Sequence, residues 1–170
     1  MLRKNNFVLI TFIALLISCS TKPKEQEPAQ PPQQSQPQVY NDFPVMPITL
    51  LNGTKVEASE LPGKTIIILF FPDCDHCQRE SKAIQERIES FKDYTLYFLS
   101  TNPAEEIQAF ANEYKLNSMA NVKFGQIAPD KIFVNFGSIP TPSLYIYSGE
   151  RKLKKQFNGE TSVDEIIRFL

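Results

Sequence analysis

From residue 43 onward, apolar and polar positions fall into blocks that read as strand, helix and strand in turn. Residues 65–71, TIIILFF, make a continuous apolar run between Gly63 and Pro72, the pattern of a strand buried on both faces. Ahead of it, residues 48–56 contain Asn52-Gly53, a hairpin signal because both residue types tolerate positive φ. Behind it, Ile84, Ile88 and Phe91 stand at i, i+4 and i+7, with Arg79, Lys82, Glu86 and Glu89 on the other side. That spacing predicts an amphipathic helix. Residues 95–99 read as the next strand, and Asn102-Pro103-Ala104-Glu105 as a helix start with Asn102 as N-cap, Pro103 at N1 and Glu105 at N3. Ile107, Phe110, Ala111 and Tyr114 supply the apolar face of that helix.

Further along, residues 122–127 predict a strand, 130–136 a short helical turn, and 143–147 and 152–157 two strands joined at Ser148-Gly149. Thr161 or Ser162 is placed to cap a last helix, whose apolar positions are Val163, Ile166, Ile167 and Leu170. The expected order is βαβ, then α, then a β-hairpin, then α, without internal repeats. This is an α/β domain over residues 43–170.

Residues 1–42 follow no such pattern. Arg3 and Lys4 precede an almost wholly apolar stretch, residues 7–17, and then Ser18-Cys19. A positive start, a short apolar core and small residues at its end predict a secretory signal over residues 1–18. The apolar run is too short to span a bilayer comfortably. The ending resembles a bacterial lipobox, in which cleavage falls before the cysteine and Cys19 carries the lipid. The alternatives are an ordinary signal peptide with a chance cysteine, or a signal anchor. Residues 19–42 are then the lipid-attachment cysteine and a disordered Pro/Gln-rich tether, KPKEQEPAQPPQQSQPQ, with nothing apolar larger than Ala. At roughly 3 Å per residue, about twenty such residues hold a domain some tens of Å from a bilayer. On this reading the protein sits in a bacterial cell envelope, bound to the lipid bilayer through acylated Cys19, with its domain in the periplasm or at the cell surface.

Composition adds little. The chain of 170 residues has a formal net charge of −1 and no Trp, which suits one domain and gives no basic excess to suggest nucleic acid. Cysteine usage says more. Of three cysteines, Cys19 is assigned to the lipid, leaving Cys74 and Cys77 in an oxidising compartment. The CxxC follows a predicted buried strand and opens a predicted helix, where unpaired backbone N–H groups favour a thiolate. Cys74 is therefore the expected attacking thiolate and Cys77 the resolving thiol. A structural disulfide across so short a loop stabilises little by chain entropy. A zinc site needs about four ligands, and the chain offers this pair and a single histidine, His76, between them. No metal and no cofactor are expected. Inert thiols remain the third alternative.

The element order with CxxC after the first buried strand resembles the thioredoxin fold, a central mixed β-sheet flanked by helices, here with an N-terminal β-hairpin extension. The resemblance implies a proline, usually cis, facing the cysteines. Pro140 and Pro142 both qualify. Related domains usually carry an aromatic-Gly pair six and five residues before it, and by that resemblance Phe136-Gly137 favours Pro142 over Pro140, with Thr141 before it and Ser143-Leu-Tyr-Ile-Tyr147 after it. Such a proline leaves neighbouring backbone open to a substrate strand. Over residues 43–170 the chain is most similar to exported or membrane-anchored TlpA/ResA-like thiol-disulfide oxidoreductases. Gly63-Lys64 and the motif CxxCxxE, Cys74, Cys77 and Glu80, carry that similarity. It implies that Glu80 tunes thiol acidity and that Thr141, Pro142, Asp75 and His76 meet the substrate. Many relatives have Trp where this chain has Asp73, and thioredoxins have a buried acid where it has Ile68. His76 resembles the CxHC of disulfide oxidases, where histidine favours the thiolate, while Asp73 and Asp75 oppose it.

The resulting expectation is a membrane-anchored thiol-disulfide oxidoreductase. Its partners would be cysteine-containing exported proteins and a membrane thiol-disulfide electron donor. The resemblance and Glu80 favour reduction or isomerisation over net oxidation. Two alternatives stand beside it. One is a non-catalytic thioredoxin-like lipoprotein that binds a partner. The other is a peroxiredoxin-type peroxidase, which needs Thr three residues before its cysteine, where this chain has Phe71.

Overall fold

The computed structural model describes residues 42–170. The predicted leader (residues 1–18), Cys19 and the tether up to residue 41 lie outside the described residues. Asp42, assigned to the tether's end, is tied to the domain: its carboxylate accepts the Leu153 N–H at 3.0 Å.

The chain enters the sheet as an antiparallel hairpin, β1 (Pro47–Leu50) and β2 (Lys55–Glu57). Gly53 takes φ +82° in the turn, and Asn52 Oδ1 accepts the Thr54 N–H, which is why this dipeptide turns the chain. β3 (Thr65–Leu69) is buried at every position, as its unbroken apolar run predicts. Gly63, just before it, lies against the Gly149 backbone so closely that a Cβ would stand 2.2 Å from the Gly149 carbonyl oxygen.

After β3 come α1 (Asp75–Glu86), β4 (Thr95–Ser100), α2 (Ala104–Glu113), β5 (Val122–Gln126) and α3 (Pro129–Phe136). The hairpin β6 (Ser143–Tyr147) and β7 (Leu153–Asn158) and the short helix α4 (Val163–Ile167) complete the chain. The seven strands make one mixed sheet in the order β2-β1-β5-β4-β3-β6-β7. β3, β4 and β5 run parallel, and β6 is antiparallel to β3 with Leu69 opposite Ser143. That register brings the end of β3, where the cysteines begin, beside the start of β6, where Pro142 stands. This is the thioredoxin-like α/β fold with an N-terminal hairpin.

Strand alternation sends side chains into two cores. Ile66, Ile68, Phe70, Leu96, Phe98, Leu144 and Ile146 pack on one face with Cys77 and Ile84 of α1, Phe110 of α2 and Ile166 of α4. Ile67, Leu69, Tyr97, Leu99, Tyr145 and Tyr147 pack on the other with Phe43 and Met46, and with Ile132 and Phe136 of α3 at its edge. Phe70 is a hub of the first core, 4.6 Å from the Phe110 ring and 5.9 Å from Phe98. Such pairs contribute about 0.5–1.5 kcal/mol each beyond area burial. They anchor the strand end from which the cysteine loop departs.

Two local expectations are corrected. Asn102 is not an N-cap: Pro103 holds that position and α2 begins at Ala104. The Asn102 amide donates instead to Glu106 Oε2 at 2.7 Å, and its Oδ1 accepts from Ser100. The helix after the cysteines also stops at Glu86. Arg87 leaves the helical track (φ −118°, ψ 23°), and Ile88–Phe91 forms a separate 3₁₀ turn that puts Phe91 fully into the core. Ser162, of the two candidates, caps α4 by accepting the Glu165 N–H.

Candidate active site

Cys74 is the N-cap of α1. Its own N–H donates to the Phe71 carbonyl, and Gln78 Nε2 donates to the Pro72 carbonyl at 2.9 Å, so the loop 71–74 is closed on itself. Cys74 Sγ accepts the Cys77 N–H at 3.4 Å, a helix N-terminal donor that favours negative charge on sulfur. The same sulfur lies 3.6 Å from the Thr141 carbonyl oxygen, to which its S–H donates. Cys74 is half-buried and Cys77 buried, and both are free thiols. Burial, followed by its hydrogen bond with Cys74, pushes the Cys77 thiol up to about 12. The pair is thus asymmetric, with one accessible sulfur at a helix start and one sheltered thiol behind it.

The loop opposite holds the cis peptide Thr141–Pro142, so Pro142 and not Pro140 takes the position expected from Phe136-Gly137. Gly137 ends α3 at φ +74°, a conformation that suits glycine. The Pro142 carbonyl accepts the Gly159 N–H at 2.8 Å, and Ser143 Oγ donates to the Pro140 carbonyl. Between this loop, α3 and the end of β3 runs a groove of about 250 Å³, lined by Phe71, Ile132, Phe133, Ile139 and Thr141 among others. Phe133 is 70% exposed, so the groove has an apolar outer wall.

Glu80 lies one turn past Cys77 and is 3% exposed, not a solvated surface acid. Its Oε2 accepts the Thr161 N–H at 2.8 Å. Its Oε1 is the buried side-chain polar atom without a partner among the described residues. A buried carboxylate with one oxygen unsatisfied is costly, and burial raises Glu80 to about 7 against the pull of the Thr161 N–H. The Glu80 charge in turn helps to hold Cys77 up.

On the exposed side, His76 Nδ1 stands 2.6 Å from Glu160 Oε2. A carboxylate oxygen only accepts, so this nitrogen carries the proton. Arg79 binds the same carboxylate through both arms, Nε to Oε1 at 2.9 Å and Nη2 to Oε2 at 2.6 Å. Arg79 Nη2 also lies 2.7 Å from His76 Nδ1, but two donors do not bond each other, and Glu160 is the partner of both. Asp75, the first residue of α1, and Asp73 point to solvent. The structure therefore brings Cys74, Cys77, Glu80, Thr141 and Pro142 together, with His76 turned to Glu160. Sequence reading missed Arg79, Gly159, Glu160, Thr161 and the Phe133 wall, because the contacts that recruit them bridge segments about eighty positions apart. Among the described residues no group of three His, Cys, Asp or Glu side chains is placed to hold a metal ion.

The AhpC/TSA family model matches residues 39–156. A thiol-disulfide oxidoreductase ResA of Bacillus anthracis is 24% identical over 137 residues, which is 78% of this chain and 77% of the relative. Another ResA, from Bacillus thuringiensis subsp. konkukian, is 21% identical over 98% of this chain and 96% of its own length. Among solved structures, a secreted Mycobacterium tuberculosis disulfide oxidoreductase homologous to E. coli DsbE superposes with a TM-score of 0.60. It is 20% identical over 72% of this chain and 91% of that one.

Proposed function

The chain belongs to the AhpC/TSA family, and from that premise we propose that it is a thiol-disulfide oxidoreductase working by dithiol exchange at Cys74 and Cys77. The asymmetry of the pair carries the reading: an accessible sulfur capping α1 with a buried thiol behind it. Cys74 thiolate attacks one sulfur of a substrate disulfide, forming a mixed disulfide and releasing the other substrate sulfur as thiolate. Cys77 then attacks Cys74 Sγ, the substrate leaves as a dithiol, and two electrons have passed from protein to substrate. The Cys77 proton has to leave first, from a thiol held near 12. Glu80, buried one turn away and titrating near 7, is the group that takes it, through its free Oε1.

The substrate's backbone lies against Thr141 and Pro142, with Asp75 and His76 at the rim, and an apolar side chain enters the groove below Phe133. Net reduction or isomerisation fits better than oxidation, since Glu80 assists the resolving thiol. On this reading its substrates are exported proteins with cysteines, and a membrane thiol-disulfide donor re-reduces it. The leader-like residues 1–18 and Cys19 support a lipid anchor in the cell envelope. A peroxidase reading gains nothing from Phe71, an apolar ring with no hydroxyl to orient a peroxide. Insulin reduction tests the mechanism. Cys74→Ser should abolish turnover, and Cys77→Ser should accumulate a mixed disulfide with substrate. Turnover that survives Cys74→Ser overturns it.

A further inference from the structure

Three successive residues of the connector between β7 and α4, Gly159, Glu160 and Thr161, touch the parts of the site. The Gly159 N–H holds the Pro142 carbonyl, the Glu160 carboxylate holds His76 and Arg79, and the Thr161 N–H holds Glu80. Gly159, at φ +90°, lets the chain present these three groups in succession. The mechanism accounts for the first and third contacts. It does not account for Glu160, whose carboxylate takes up the donors of two residues on the first turns of α1, beside Cys74.

We propose that Glu160 is a positioning residue for the thiol chemistry: it holds the Arg79 guanidinium and the His76 imidazole to itself, withholds them from Cys74 Sγ, and so keeps the couple reducing. The inference rests on the exchange reaction proposed above. Three observations lead to it. Arg79 is close enough to Cys74 that a charge on that sulfur acts on the guanidinium. The bidentate fork to Glu160, with both distances under 3 Å, fixes where that cation points. The His76 N–H, the side-chain donor nearest in sequence to the thiolate, is spent on the same carboxylate. The other titratable groups around Cys74 are Asp73 and Asp75 beside it in sequence, Cys77, and the buried Glu80. The loop 138–142 facing it contributes none. Arg79 and His76 are therefore the side-chain donors available to a Cys74 thiolate, and Glu160 decides whether they are free. A thiolate that gains donors stabilises the reduced form, which makes the disulfide more oxidising.

The test uses the full chain, reduced, as wild type, Glu160→Gln and Arg79→Gln. Two readouts serve: the alkylation rate of Cys74 by iodoacetamide at a fixed mildly acidic pH, and the equilibrium constant for oxidation by glutathione disulfide. Loss of one charge at this range is worth about threefold to tenfold. Glu160→Gln should alkylate faster by that factor, and its oxidation constant should fall by a similar one. Arg79→Gln should move both readouts the opposite way. Unchanged values in Glu160→Gln overturn the proposal. So do shifts in the same direction for both variants, the mark of a loosened loop. Wild type without disulfide exchange would overturn the proposed reaction instead, while alkylation would still decide the role of Glu160.

Discussion

Replacing Glu80 with Gln isolates the thermodynamic consequence of burying that carboxyl. Glu80 is raised from its ordinary 4.5 to about 7. A rise of ~2.5 pH units corresponds to about 3 kcal/mol at 1.36 kcal/mol per unit. Because the folded-state value lies above the unfolded one, the native state keeps the proton between 4.5 and 7 while the unfolded chain has lost it. Native protein therefore binds more protons in that window, and stability falls as pH rises through it. The stabilisation is complete below about 4.5 and gone above about 7. Glu160, held down near 2 by Arg79 and His76, acts outside this window and with the opposite sign, being lost only as pH falls toward 2. Urea unfolding of the reduced protein at pH 4 and pH 8, followed by circular dichroism, reads the effect. Every other group is common to both proteins and cancels in the difference. Wild type should lose about 3 kcal/mol more than Glu80→Gln between the two pH values. Equal losses would refute a buried, proton-holding Glu80. A kinetic counterpart follows: the limb near pH 7 in the resolving step of wild type should vanish in the variant.

Two further outcomes test the frame around the thiols. Gly63→Ala pushes a Cβ into the Gly149 backbone and should cost about 1–3 kcal/mol by urea unfolding, since neither backbone is free to move. Phe133→Ser should leave stability within about 0.5 kcal/mol, because the ring is 70% exposed, yet raise KM for apolar peptide disulfides several-fold in the reductase assay.

Local chemistry made much of this fold legible. The run 65–71 could only be a strand covered on both faces, and β3 is buried throughout. Asn52-Gly53 marked its own turn, and Gly137 ended α3 at the place that selected Pro142. The site's thiols were legible for the same reason, since a cysteine between a buried strand and an amphipathic helix lands on the helix N-cap. The break at Arg87 was not legible, because nothing in Glu86-Arg87-Ile88 disfavours helix. It arises where Phe91 reaches the core beneath the sheet. Asn102 had the right chemistry for a cap but found Ser100 and Glu106 instead. Glu80 precedes Ile84 by one turn, but its buried carboxylate is held by the Thr161 N–H of the turn before α4, a partner 81 positions away. Glu160 carries no local signal, since its role depends on partners 81 and 84 positions earlier.

The groups around Cys74 differ in which form of the sulfur they favour. The Cys77 N–H and the helix start favour a thiolate. The Thr141 carbonyl accepts a hydrogen bond only from the thiol form, so it favours the proton. Asp73 and Asp75, exposed on either side, oppose negative charge weakly through solvent. In the sequence His76 and these two acids pull in opposite directions, with the net sign left open. The structure changes that balance, because the imidazole N–H and the neighbouring Arg79 are both committed to Glu160. What remains for Cys74 is a single backbone donor against one carbonyl and two carboxylates. The side-chain donors that could stabilise a Cys74 thiolate are thus held elsewhere, which on the role proposed for Glu160 favours the disulfide and makes the dithiol the better reductant. The proposed reducing direction thus draws on two bases, Glu80 on the resolving side and the Glu160 contacts on the attacking side. Both bases meet in the turn 159–161, which pins Glu80 with one residue and disarms His76 and Arg79 with the one before it.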